Sequence, residues 1–274
     1  MNQHTLWNST AAQGWVAART MLDQTYKPLE DMLTEAVCAT SATRVLDVGC
    51  GTGATTIAVA RRLGAEGNCV GIDVSEEMIG AARARAEVEG VAASFVCADA
   101  QSYPFAAQSF DMVISRFGIM FFHDPVQAFA NLRRAASKGA TLCCISWRGP
   151  EENAFMTVAE RAAEPLLPGV SKRVPNEPGQ FGLANRTRAM EILSQSGWQD
   201  IDIAPIDALC AFPQSELERY ISRMGPVGRA LQGTDERTRH QVIEAVRPAF
   251  EPYLHGAEVQ FTACCWLLRA RAGA

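Results

Sequence analysis

The stretch that most constrains this chain is Arg44-Val-Leu-Asp-Val-Gly-Cys-Gly-Thr-Gly53. Arg44 to Val48 is short and rich in apolar, β-branched residues, which predicts a strand. Glycines follow at 49, 51 and 53, and Ala54 to Leu63 then carries helical spacing up to Gly64. A strand that turns through glycines into a helix opens a βαβ unit. It commits the chain to a parallel sheet covered by helices. The loop brings backbone close to a ligand, and the helix start offers it unpaired N–H groups.

The rest of the first half repeats that rhythm. Cys69 to Asp73, Ser94 to Ala98, Phe110 to Ser115 and Ala140 to Trp147 read as further strands. Ser75 is the expected N-cap of the helix after the second strand, with Glu76 and Glu77 in its first turn. Asp124-Pro125 opens another helix, which Gly139 is expected to end. Residues 9–39 read as helix, capped by Ser9 or Thr10, with Pro28 as its expected dividing point. After Trp147 the rhythm breaks. Prolines at 150, 165, 168, 175 and 178 point to a helix near 153–164 and then a long loop. Arg186 to Ser196 reads as helix and Ile201 to Ile206 as strand. Helical segments follow near 213–224 and 235–250, and Glu258 to Ala270 closes the chain as a strand. The expected fold is α/β, with a seven-stranded, mostly parallel sheet and helical cap insertions. Residues 1–40 form a helical lid and 41–147 the ligand-binding core. Residues 148–274 supply the rest of the sheet, with insertions near 148–184 and 207–257.

In such sheets ligands bind beyond the carboxyl ends of the strands. Asp47 lies two residues before the first glycine of the loop. A carboxylate there repels a pyrophosphate and suits a ligand bearing an ammonium group. The loop also satisfies the loose dinucleotide pattern through Gly49, Gly51 and Ala54, so an NAD(P)-dependent oxidoreductase stands as the alternative. Asp73 suits ribose hydroxyls in either case. Asp99, at the end of the third strand, suits an adenine amino group.

Val45-Leu-Asp-Val-Gly-Cys-Gly-Thr-Gly53, Gly71-Ile-Asp-Val-Ser75, Ala98-Asp-Ala100 and Ser109-Phe-Asp-Met-Val113 occur in that order. Together they resemble the successive motifs of class I S-adenosylmethionine (SAM)-dependent methyltransferases, which have a Rossmann-like fold. They are most similar to the branch of ubiquinone and menaquinone C-methyltransferases and small-molecule methyltransferases. The resemblance covers roughly residues 40–147. It implies that Gly49, Gly51 and Gly53 wrap the amino-acid end of SAM, with Asp47 beneath. It gives Asp73 the ribose, Val74 and Met78 the adenine face, and Asp99 and Ala100 the adenine edge. Thr56 and Arg116 match cofactor-lining positions, although the quinone enzymes carry serine where Arg116 stands. Arg116 is then a candidate for the SAM carboxylate or for a substrate anion. Trp7 and Trp15 resemble a leading segment that folds over SAM, with Tyr26 as a further lid candidate.

The methyl acceptor is less legible. The fourth strand leads into Ser115-Arg-Phe-Gly-Ile-Met-Phe-Phe-His-Asp124, where relatives place the reacting face. The D/N-P-P-Y motif of base and glutamine methylation is missing there. His123 and Arg116 are the catalytic candidates, and Phe117, Met120, Phe121, Phe122 and Trp147 the candidate pocket walls. No carboxylate cluster accompanies Asp124, so no metal is expected. A net charge of −5 with only scattered basic pairs argues against nucleic acid as partner. The nine cysteines form no C-x-x-C pair and sit mostly in apolar runs, as reduced core residues do. Neither a signal peptide nor a membrane span is read, so the expectation is a cytoplasmic monomer or homodimer. The expected function is methyl transfer to a small molecule at an O, N or C atom, with a non-catalytic SAM-binding role as a further alternative.

Overall fold

The computed structural model of the protein describes residue 5, residues 7 and 8, residues 10–167, 170, 174 and 176–273. Its strands are β1 (Arg44–Val48), β2 (Asn68–Asp73), β3 (Ala93–Cys97), β4 (Phe110–Arg116), β5 (Ala136–Trp147), β6 (Trp198–Pro213), β7 (Leu254–His255) and β8 (Glu258–Ala272). They form one sheet in the order β3-β2-β1-β4-β5-β8-β6, with the short β7 folded onto β8. The first five are parallel, and β8 runs antiparallel to both β5 and β6. The expected seven strands are all present, and β7 is an addition. Chain order reverses between β1 and β4, which opens a crevice at their carboxyl ends.

The central strands read as unbroken apolar runs because both faces are covered. Val45, Leu46, Val113, Ile114, Leu142 and Ile145 are all fully buried. Around them lie α1 (Thr10–Ala17), α2 (Arg19–Thr25), α3 (Lys27–Cys38), α4 (Ala54–Leu63), α5 (Glu76–Val88), α6 (Pro125–Ala135), α7 (Ala154–Ala163), α8 (Arg186–Gln195), α9 (Leu217–Arg223), α10 (Gly225–Leu231) and α11 (Glu236–Val246). The expected caps form. The Ser75 hydroxyl accepts from the Met78 N–H at 3.4 Å, and the Asp124 carboxylate from the Gln127 N–H at 2.9 Å. Each such cap contributes about 1 kcal/mol.

Several boundaries differ from the sequence reading. The leading helix breaks at Ala18 and Tyr26 rather than at Pro28. Pro28 instead occupies the first turn of α3, where its missing N–H has no helical partner to lose. Thr10 begins α1, while Ser9 lies outside the described residues. The helix from Pro125 ends at Ala135, short of Gly139. Ala136 turns extended and pairs at once with Phe110, so Gly139 falls inside β5. Finally, β6 covers 198–213 rather than 201–206. Pro205 interrupts its apolar pattern, but β6 is the edge strand, where a missing donor costs no second ladder bond. The second insertion therefore begins after Pro213.

The insertions are packed onto the sheet. Phe155 of α7 stacks on Phe261 of β8 at 3.9 Å with 2° between the rings, and meets Tyr220 of α9 and Phe250 edge-on or tilted. Asn153 clamps the start of α7 to β8, donating to the Cys264 carbonyl at 2.9 Å and accepting from its N–H at 3.0 Å. No helix among the described residues is long and apolar enough to cross a membrane.

Candidate active site

The loop after β1 and the loop after β4 touch backbone to backbone. A Cβ on Gly49 would lie 2.4 Å from the Gly118 Cα, and one on Gly118 would lie 2.3 Å from the Val48 carbonyl oxygen. Glycine is the only residue that fits either position. Gly51 differs, because a Cβ there would meet only the Met78 sulfur at 3.8 Å. Its backbone faces open space, as a ligand cradle must. Gly53 stands at the N-cap of α4 and its own Cβ position faces Ala82 and Phe95, so it shapes the turn from behind.

Two carboxylates hold this loop. Asp47 is buried at the floor and accepts a hydrogen bond from the Thr56 hydroxyl at 2.7 Å. Burial pushes its pKa up to about 6, against the lowering effects of Thr56 and of the Arg116 charge. Thr56 thus steadies Asp47 and does not itself line the cavity. Asp73 accepts from the Gly51 N–H and the Ser75 N–H, both at 2.9 Å. Burial raises its pKa too, while these backbone donors lower it.

A cavity of about 390 Å³ opens above the loop. On one side Gly49, Gly51, Asp73, Val74, Met78, Asp99, Ala100 and Arg116 line it, joining the residues of the successive motifs. Asp99 is exposed and accepts from the Gln101 N–H at 2.9 Å. On the other side stand Phe117, Met120, Trp147, Phe155, Met156, Tyr220 and Met224. Trp15 and Trp7 close the top. They meet edge to face, and Trp7 meets Phe121 in the same way at 5.1 Å. The Asn8 side chain ties this segment down, donating to the Val74 carbonyl at 3.0 Å and accepting from the Glu76 N–H at 3.1 Å. A smaller recess of about 60 Å³ adjoins, bounded by Asp47, Gly49, Gly51, Arg19, Asp23 and Arg116.

Arg116 ends β4 and faces both spaces. It donates to the Tyr26 carbonyl at 3.3 Å; burial raises the pKa of the nearby carboxyls Asp23, Glu30 and Asp47, and the Arg116 charge works against that rise. The next residue, Phe117, holds φ at +70°, a conformation a bulky side chain adopts at a cost of order 1–3 kcal/mol. That conformation lays its ring flat on Trp147 at 4.5 Å, with Tyr26 edge-on to both.

His123 is exposed and lies outside the lining of either space. Phe155, Met156, Tyr220 and Met224 escaped the sequence reading. They come from two insertions distant in sequence, and only Phe155 carries a local sign, an apolar position at the start of an amphipathic helix. Among the described residues no group of three His, Cys, Asp or Glu side chains is placed to hold a metal ion.

Comparison with known proteins bears on this geometry. Residues 45–139 match the family model of a methyltransferase domain. The chain is 28% identical to the ubiquinone/menaquinone biosynthesis C-methyltransferase of Marinomonas sp. over 139 residues, covering 50% of this chain and 55% of that protein. It is 29% identical to the demethylmenaquinone methyltransferase of Renibacterium salmoninarum, covering 62% and 72% of the two chains. The aklanonic acid methyltransferase of Streptomyces sp. is 32% identical over 44% of this chain and 56% of its own. For several of these curated relatives, the match spans about half their length. Among solved structures, a putative methyltransferase from Bacillus halodurans superposes with a TM-score of 0.58 at 17% identity, over 89% of this chain and 99% of its own, and so shares the fold. With the motif run, the sheet order and these relatives in agreement, residues 45–139 form a methyltransferase domain, similar to that of the ubiquinone and menaquinone C-methyltransferases.

Proposed function

We propose that this protein transfers a methyl group from SAM to a small-molecule acceptor held under the cap. The observation that carries the reading is the buried Asp47 carboxylate beneath a glycine cradle, facing a small recess that adjoins a cavity walled by aromatic and thioether side chains. A carboxylate with one hydroxyl partner under an open loop fits the ammonium of an amino-acid ligand. It does not fit a pyrophosphate.

Asp47 and the Gly49–Gly51 backbone hold the amino-acid end, with Arg116 placed for its carboxylate. Asp73 accepts from the ribose hydroxyls while keeping its bonds to Gly51 and Ser75. Val74 and Met78 pack on the adenine, and Asp99 and Ala100 border its edge. The cofactor supplies a methyl group on an already activated sulfonium. What remains for the protein is to align the acceptor and exclude water. The Trp7–Trp15–Phe121 lid and the cap aromatics keep water out. No step here uses His123.

The test is methyl-labelled SAM incubated with the protein and separated cell-extract fractions. Label should enter low-mass organic molecules. Label confined to nucleic acid or protein, or transferred nowhere, would contradict the proposal. In the same assay His123→Ala should retain turnover within about twofold, because an exposed side chain away from the cavity contributes little to either stability or chemistry. A drop of a hundredfold or more would restore it as a base.

A further inference from the structure

Asn153 stands at the start of α7, where an asparagine ordinarily caps its own helix, yet its side chain makes no capping bond. The side chain turns instead onto the sheet, where it is buried. Its oxygen accepts from the Cys264 N–H at 3.0 Å. Its two amide protons serve three carbonyls, those of Cys264 at 2.9 Å, Gly149 at 3.1 Å and Arg148 at 3.3 Å. The strand register explains the arrangement. Trp147 ends β5 opposite Cys265, and the Arg148 N–H still reaches the Cys264 carbonyl at 3.0 Å. There the chain leaves the sheet, and the Cys264 N–H is left without a strand partner on that side. The Asn153 amide takes the place, so a side chain carries the β5–β8 ladder beyond the end of β5. The Arg148 side chain holds the same turn, lying over the Trp266 ring at 5.8 Å and pairing with Glu152 at 2.9 Å and Asp207 at 3.0 Å.

We infer that Asn153 is a positioning residue for the acceptor half of the cavity: it fixes where α7 begins against the sheet, and with it the wall that faces the methyl acceptor, without serving the cofactor half. The inference rests on the methyltransferase reading above and deepens it. Trp147 and Phe155 flank the clamped turn in sequence and both line the cavity, and α7 adds Met156, Ala159 and Glu160. The clamp therefore sets the spacing of two aromatic walls and the place of a carboxylate. The stack of Phe155 on Phe261 holds α7 down, but apolar contact is non-directional and tolerates sliding along the strand. The hydrogen bonds to Cys264 are directional and do not. The cofactor half is built elsewhere, on the loops after β1, β2 and β3. Gly49 bonds to the Ile72 carbonyl and Gly51 to Asp73, within that half.

The experiment uses the full chain at mildly alkaline pH, as wild type, Asn153→Ala and Asn153→Asp. The probe is prodan, an uncharged naphthalene dye, with and without saturating S-adenosylhomocysteine, the demethylated cofactor. Binding is read by energy transfer from tryptophan to the dye, since Trp7, Trp15 and Trp147 all line the cavity. Asn153→Ala should weaken prodan binding by about tenfold or more, because buried carbonyls and an N–H lose their partner. Affinity for S-adenosylhomocysteine, measured by calorimetry, should stay within about twofold of wild type.

Asn153→Asp separates a clamp from a merely structural role. Aspartate matches asparagine in shape and in helix capping, so a capping or space-filling role would survive the change. A clamp would not, because an ionised carboxylate has no proton to give to three carbonyls. Asn153→Asp should therefore lose prodan affinity as Asn153→Ala does. Prodan binding kept by either variant overturns the inference, as does failure of the wild type to bind prodan. Loss of S-adenosylhomocysteine binding in the variants also overturns it, because Asn153 would then serve the fold as a whole. If the wild type itself binds no S-adenosylhomocysteine, the underlying methyltransferase reading is what fails, and the prodan measurements without it still decide the role of Asn153.

Discussion

Asp47→Asn is expected to weaken SAM binding by a hundredfold or more while making the cofactor-free protein more stable. The substitution keeps the side chain's shape and its contact with the Thr56 hydroxyl but removes a charge. Loss of a buried partner for the ligand's ammonium costs on the order of 2–5 kcal/mol of binding. Stability moves the other way. Burial raises the Asp47 pKa from 3.8 to about 6, so ionised Asp47 is a burden on the empty protein. That shift corresponds to roughly 3 kcal/mol at neutral pH, an upper figure for what the amide can recover. The sign follows from the direction of the shift. A carboxyl with a raised folded-state pKa destabilises fully above that pKa, and the penalty fades as pH falls from about 6 towards 3.8. Melting curves of cofactor-free protein at pH 7.5 and pH 4.5 should show the variant's advantage at the higher pH and little at the lower. Wild-type affinity for SAM should fall as pH drops below about 6, as protons compete with the ammonium for Asp47. Unchanged affinity in the variant, or an advantage that grows on acidification, would refute the assignment.

Gly118→Ala is expected to be among the most damaging single-methyl changes in the molecule. The new Cβ would meet the Val48 carbonyl oxygen at 2.3 Å and the Gly49 Cα at 2.6 Å. Both are backbone atoms at the end of the central strand, and neither is free to swing aside. Overpacking there should cost on the order of 3–5 kcal/mol, displace the cofactor loop and remove SAM binding with it. Gly80→Ala is the matching control. Gly80 lies in α5 with open space around its Cβ position, so alanine should stabilise by about 0.5–1 kcal/mol. Urea denaturation of both variants distinguishes a steric cost specific to the loop contact from a general sensitivity to glycine replacement.

What could be read from the sequence divides along a physical line. The glycine loop, Asp47, Asp73 and Ser75 were legible because each acts through neighbours within a few residues, where spacing fixes geometry. The mostly parallel sheet followed, since strands of one apolar character alternating with helices leave few arrangements. Thr56 was picked out by position, but the geometry gives it a different role, behind Asp47 instead of against the ligand. Pro205 concealed most of β6 because the sequence does not announce which strand lies at an edge. The Tyr26–Phe117–Trp147 cluster draws its residues from three separate stretches of chain, and no one-dimensional pattern joins them. The cap wall was illegible for the same reason. Phe155 and Tyr220 come from α7 and α9, which lie far apart in sequence and meet only in the folded cap.

The most direct test of the central claim is calorimetric titration of the purified protein with SAM, S-adenosylhomocysteine and NADH, for the wild type and for Asp73→Ala. Asp73 supports the loop through Gly51 and Ser75 and is the residue assigned to the ribose. The account predicts micromolar binding of SAM and S-adenosylhomocysteine by the wild type, its loss in Asp73→Ala, and no heat with NADH. Binding of NADH without SAM would contradict the account and return the glycine loop to a dinucleotide role.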